Sequence, residues 1–77
     1  MDPEHLEIVR DAVKMQQRKE SFERALGRAV RNRNLDFALY MKIVSEVREI
    51  AYRDGKSLDD AAKELSVQKE QAKVDSH

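Results

Sequence analysis

Residues 3–32 have the sequence PEHLEIVRDAVKMQQRKESFERALGRAVRN, which contains neither glycine nor proline between Pro3 and Gly27. Asp2 can cap free backbone amides, and proline suits the first position of a helix. At about 100° per residue, most apolar side chains of this stretch share an arc of roughly 100°. They are Ile8, Ala12, Met15, Phe22, Leu26, Ala29 and Val30. The pattern predicts one long N-terminal helix, with a break near residues 17–21 as the alternative, in which Ser21 would cap a second helix.

A second helix is predicted from about Leu35 to Arg53. Residues 32–34, Asn-Arg-Asn, form the connector, because asparagine tolerates left-handed backbone and caps helices well. The apolar residues of this helix span roughly 220°, which is more than one neighbour can cover, so we expect it to be central in the fold. Gly55 is expected to end it in the left-handed conformation.

The segment from Leu58 to Val74 resembles a helix-turn-helix unit. Ala62 stands at the position where the second helix would cross the first, and further apolar residues stand at matching offsets. These are Ala61, Leu65, Val67 and Ala72. The motif usually has glycine in its turn, where this chain has Ser66, and the would-be recognition helix carries Glu70 and Asp75. The alternative is a plain helical hairpin that packs on the bundle. No family is identified by this resemblance.

Together these patterns predict an all-α protein. We expect a small helical bundle with a long N-terminal helix, a central helix and a short C-terminal helical hairpin. Residues 1–67 are expected to form a single helical domain, and residues 68–77 a short last helix or a flexible polar tail.

Composition excludes several classes of function. The 77 residues include no cysteine, and the two histidines, His5 and His77, lie near opposite ends. No histidine or acidic set has metal-ligand spacing, no glycine-rich loop is present, and no nucleophile pattern is recognisable. We therefore expect no enzyme activity, no cofactor, no metal and no small-molecule substrate. Short apolar runs and an acidic start predict no membrane span and no signal peptide, and hence a cytoplasmic protein.

Basic residues concentrate in residues 10–33, although the formal net charge of the chain is zero. On one continuous helix, six of them fall within an arc of roughly 140° on the side opposite the apolar stripe. They are Arg10, Lys14, Arg18, Arg24, Arg28 and Arg31. Such a face suits phosphates or an acidic partner, and the alternative is a solvated face partnered by acids of the same chain. On this helical face no aromatic residue lies among the six bases, which disfavours single-stranded nucleic acid.

Surplus apolar residues point to an interface. A chain this short has a small core, and apolar side chains beyond its needs mark sites of association. The candidates are Leu6, Val9, Val13, Phe37, Met41 and Tyr52. The leading hypothesis is a non-catalytic helical interaction module, a homodimer or partner of another protein, that acts as a small adaptor or regulator. The alternative is a nucleic-acid-binding regulator that uses the basic face and the C-terminal hairpin.

Overall fold

A computed structural model describes the backbone of residues 1–75 and the side-chain surroundings of residues 1–67. Within that part of the chain it contains four helices and no strand. The helices are α1 (Pro3–Met15), α2 (Phe22–Asn32), α3 (Phe37–Asp54) and α4 (Leu58–Asp75). The prediction of an all-α helical bundle is confirmed, and none of these helices has the length and apolar character that crossing a bilayer requires.

The prediction of one long N-terminal helix is wrong, and the alternative with a break is correct. α1 ends at Met15, and α2 begins at Phe22 with Ser21 as its cap, whose hydroxyl accepts a hydrogen bond from the Arg24 amide at 3.2 Å. Lys19 in the link adopts a left-handed backbone with φ of 65°. The break allows the two apolar stripes to bury against each other, which a single straight rod cannot do.

The other local signals are confirmed at residue level. The Asp2 side chain accepts from the Glu4 amide at 3.0 Å, as predicted. The Ser57 hydroxyl, which the sequence pattern Ser-x-x-Asp marks as a helix cap, accepts from the Asp60 amide at 3.1 Å. Gly55 ends α3 with φ of 66°. α3 begins two residues later than predicted, because Leu35 still donates a hydrogen bond to the Val30 carbonyl that closes the end of α2.

The predicted C-terminal hairpin is not present, since α4 continues from Leu58 to Asp75. Ser66, the expected turn residue, lies inside the helix and donates its hydroxyl to the Lys63 carbonyl at 2.6 Å. Residues of good helix propensity on both sides favour continuation over a turn. The predicted flexibility of residues 68–77 is not tested by these helix bounds and stays a prediction.

The core is built from all four helices, with α1 at its centre. α1 packs most extensively on α2 and α4, whereas α3 packs on α4 and α2 only along one side. The largest completely buried side chains are Phe22, Ile8, Leu26, Ile43, Val9 and Val47. The expectation that the helix after residue 34 is central is therefore wrong. α1 is the helix that is covered on two sides, and α3 keeps an open side.

Candidate interaction surfaces

One side of α3 faces solvent although it carries large apolar residues. Phe37 is 71% exposed, Met41 53% and Tyr52 89%. With Ser45 and Arg48, which are also exposed, they fall within about 80° around the helix axis. We call these five residues the α3 stripe. Its buried counterpart consists of Ile43, Val44, Val47 and Ala51, which turn a neighbouring side of α3, centred roughly 105° away, towards the bundle.

The three α1 residues of the sequence-predicted interface lie wholly or partly inside the bundle. Val9 is completely buried and belongs to the core, and Leu6 and Val13 are half-buried and pack against it. The reason is the break after Met15, which brings α2 and α4 onto α1 from two directions. Leu6 also lines a small cleft of about 330 Å³ together with Ile50 and Leu65. The prediction that Val9 belongs to an interface is therefore wrong. Of the six predicted interface residues, only Phe37, Met41 and Tyr52 are exposed as expected.

The six basic residues do not form one face, because they do not lie on one helix. Arg10 and Lys14 belong to α1 and Arg18 to the link, whereas the other three belong to α2. Arg24, Arg28 and Arg31 come together along a groove between α2 and the start of α3. The predicted continuous basic rod is wrong, and a smaller basic site on α2 takes its place.

This α2–α3 groove has a volume of about 740 Å³. Its basic edge is formed by Arg24, Arg28 and Arg31, and its apolar wall by Val30, Leu35, Phe37 and Tyr40. Gly27 lies between the two, and a Cβ built on it would be 3.8 Å from Cε1 of Tyr40. The groove therefore combines cationic side chains, an apolar wall and, at Gly27, a position in the middle of α2 that carries no side chain.

Arg28 is held within the protein. Its guanidinium donates to Oε1 and Oε2 of Glu20 at 2.6 and 2.9 Å and to the Met15 carbonyl at 3.0 Å. The hydrogen bond from Arg28 lowers the pKa of Glu20, and the same bond raises the pKa of Arg28. Arg28 therefore braces the link between α1 and α2 and has little capacity left for a partner.

Arg24 and Arg31 differ from Arg28 in this respect. Both are exposed, and neither guanidinium forms a hydrogen bond or an ion pair among residues 1–67, although Arg24 is near enough to Glu20 to contribute to the lowered pKa of that carboxyl. Glu23, which also lines the groove, accepts a hydrogen bond from Arg48 of α3 at 2.9 Å. The free positive charge of the groove thus resides on Arg24 and Arg31, seven residues apart on one side of α2.

Two aromatic rings stand beside these arginines. Phe37 and Tyr40 are stacked, with ring centroids 5.3 Å apart and an interplanar angle of 26°. The predicted basic face carried no aromatic residue among its six bases, and the fold supplies two from α3. Sequence reasoning did not identify Gly27 and Tyr40 as groove residues. The available signal was Gly27, because a glycine in the middle of a predicted helix often has a packing or functional reason.

No group of three or more histidine, aspartate or glutamate residues in the described part of the chain is placed to hold a metal ion. His5 is only 7% exposed, and its Nδ1 lies 3.0 Å from Oε1 of Glu46. This pair joins α1 to α3 and has the character of a structural contact.

Comparison with known proteins finds no match for the chain among protein-family models, curated proteins or solved structures.

Proposed function

We propose that this chain is a non-catalytic helical interaction module that forms a homodimer through the α3 stripe and acts as a small adaptor or regulator. The observation that carries the proposal is the exposure of Phe37, Met41 and Tyr52 on one side of one helix. Exposed aromatic and methionine side chains gathered on one side of a helix are typical of protein interfaces. We also propose a cytoplasmic location, which the absence of cysteine favours.

The order of residues along the stripe favours an antiparallel pair of α3 helices. Ser45 lies midway between Phe37 and Tyr52, so a two-fold axis at Ser45 brings each large residue near the opposite end of the second copy's stripe. A small residue at the axis permits close approach of the two helices. Arg48 does not oppose this approach, because its charge is paired with Glu23.

The charges beside the stripe complement each other in the same arrangement. Lys42 and Glu49 are exposed and lie within about 20° of each other on one flank of the stripe. Across an axis at Ser45, Lys42 of one copy faces Glu49 of the second copy, three or four residues from the axis on either side. The symmetry produces this pair twice, and a parallel arrangement offers no such pairing.

A nucleic-acid-binding regulator is the second candidate, and the groove with its arginines and aromatic rings favours it. Two observations weigh against it. The chain carries no net charge, whereas nucleic-acid-binding domains are typically basic. The recognition hairpin on which the hypothesis relied is replaced by the continuous helix α4.

Sedimentation equilibrium at micromolar concentrations tests the proposal. The wild-type chain should have about twice its mass of 9.0 kDa. Met41→Glu combined with Tyr52→Glu should be monomeric with unchanged helical circular dichroism, because neither side chain belongs to the core. Val67→Glu replaces an exposed apolar residue on α4 and is the matched control, which should stay dimeric. A monomeric wild type, or a dimeric double variant, would overturn the proposal.

A further inference from the structure

We propose that the α2–α3 groove binds an acidic amphipathic segment of a partner protein, an inference that rests on the proposed function as an interaction module. Two carboxylates of the segment pair with Arg24 and Arg31. An apolar side chain between them lies over Gly27 against the Tyr40 ring. The groove shares Phe37 with the α3 stripe, but Arg24 and Arg31 lie on α2 and are not part of the stripe.

The spacing of the two free arginines defines the spacing of the acids. Arg24 and Arg31 are seven residues apart, which is two turns of helix and a rise of ~10.5 Å. A second helix that lies along α2 with acids at the same interval presents one carboxylate to each guanidinium. Arginine binds carboxylates with two parallel hydrogen bonds, which fixes the register of the segment as well as its charge.

Gly27 provides the space for the apolar side chain. Alanine would fit at this position, because its Cβ would be in ordinary contact with Tyr40 at 3.8 Å. Alanine would also stabilise the middle of α2 by ~0.5–1 kcal/mol relative to glycine. Packing within the chain therefore does not require glycine here. What glycine adds is an uncovered Tyr40 ring at the floor of the groove, between the two arginines.

The charge balance of the groove favours a peptide over a nucleic acid. Glu20 and Glu23 line the same groove, but each already accepts a hydrogen bond from an arginine of the chain. Only Arg24 and Arg31 are left to meet a ligand, whereas binding of a nucleic-acid backbone relies on many cations. A protein segment with two acids and an apolar residue between them matches this pair of charges.

The experiment selects binders from a displayed library of random peptides of about 12 residues, long enough for a helix of ~18 Å. The bait is the full-length chain, and parallel selections use two variants. Arg24→Gln with Arg31→Gln removes the free charges, and Gly27→Leu fills the floor with a good helix former. Arg10→Gln with Lys14→Gln is the control, since it removes equal charge outside the groove. Circular dichroism and sedimentation of each bait establish that fold and oligomeric state are kept.

The selected peptides should carry at least two acids with an apolar residue between them. Binding of a synthetic copy should weaken at least tenfold on both groove variants and less than twofold on the control. Enrichment of peptides without acids, or binding that the groove variants leave unchanged, would overturn the proposal. So would binding of oligo(dT) through the same arginines in preference to any acidic peptide, which would assign the groove to nucleic acid. A monomeric wild-type chain would instead contradict the proposed function. Sedimentation measures the oligomeric state independently of peptide binding, so the two failures can be distinguished.

Discussion

Glu20 and Arg28 are joined by two hydrogen bonds of 2.6 and 2.9 Å, although eight residues separate them. In a continuous helix their backbones would be ~12 Å apart along the axis. The contact is possible because α1 ends at Met15 and the link turns back towards α2. Glu20 also accepts the amide of Gln17 at 2.8 Å, so one carboxylate holds both the link and the helix that follows it.

The first prediction concerns the pH dependence of this contact. Because Arg28 lowers the pKa of Glu20 in the folded protein, folding favours the ionised carboxylate. Its stabilisation is complete above the unfolded-state pKa of ~4.3 and is lost as the pH falls through the lower folded value. Glu20→Gln should reduce the free energy of unfolding at neutral pH, and its difference from wild type should shrink below about pH 4.3. Urea titrations at several pH values measure the free energy of unfolding of both proteins. A difference between them that stays constant with pH would contradict the lowered pKa of Glu20.

The second prediction concerns Lys19, whose left-handed backbone suits glycine better than any other residue. The left-handed conformation costs other residues ~1–2 kcal/mol, while glycine loses more backbone entropy on folding. Lys19→Gly should therefore raise the free energy of unfolding by ~0.5–1 kcal/mol. Lys19→Ala removes the same charge and keeps the backbone cost, so it is the control in chemical denaturation. Equal stability of the two variants would contradict the prediction.

The third prediction uses the two glycines as an opposed pair. Gly27→Ala should raise the free energy of unfolding by ~0.5–1 kcal/mol, because Gly27 lies within α2 and its position has room for a Cβ. Gly55→Ala should lower it by ~1 kcal/mol, because Gly55 has φ of 66°. Thermal and urea denaturation of both variants measure whether the free energy of unfolding rises or falls. Destabilisation by Gly27→Ala would mean that the groove floor is closed in solution.

The fourth prediction concerns Asp59, which binds the link rather than only its own helix. Its Oδ1 accepts from the Phe22 amide at 3.3 Å and its Oδ2 from Nε2 of Gln16 at 3.0 Å. Asp59→Ala should lower the free energy of unfolding by ~1–2 kcal/mol, because an amide at the start of α2 and the Gln16 side chain lose their acceptor. Asp60→Ala, which removes only a favourable charge near the start of α4, should cost ~0.3–1 kcal/mol. Equal losses in urea denaturation would count against the role assigned to Asp59.

The fifth prediction tests the antiparallel arrangement of the proposed dimer. Lys42→Glu and Glu49→Lys should each weaken dimerisation, since each creates two like-charge contacts across the axis. The double variant restores two opposite-charge pairs and should dimerise like the wild type. Exposed pairs contribute ~0.2–1 kcal/mol each, so the changes in dimer dissociation constant should be several-fold at low salt. Sedimentation velocity measures them, and additive weakening in the double variant would exclude this pairing.

The sequence by itself determined the helical class and most helix ends. Asp2, Ser21, Gly55 and Ser57 each act within four residues of their own position, through caps and left-handed backbone. Such signals are local, and for that reason they can be recognised without knowing what packs where. Local reasoning failed at Ser66, where continuous helix propensity prevailed over a turn, and it placed the start of α3 two residues early.

The tertiary structure alone decided which apolar residues are core and which charges are free. Val9 and Tyr52 look alike in sequence as apolar residues beyond the main stripe, yet one is completely buried and the other is 89% exposed. The difference arises because α4 and α2 cover α1 on two sides and leave one side of α3 open. The groove likewise joins Arg24 to Tyr40 across a chain reversal. Contacts between helices depend on how each helix is oriented by all the others, and no pattern within a single helix carries that information.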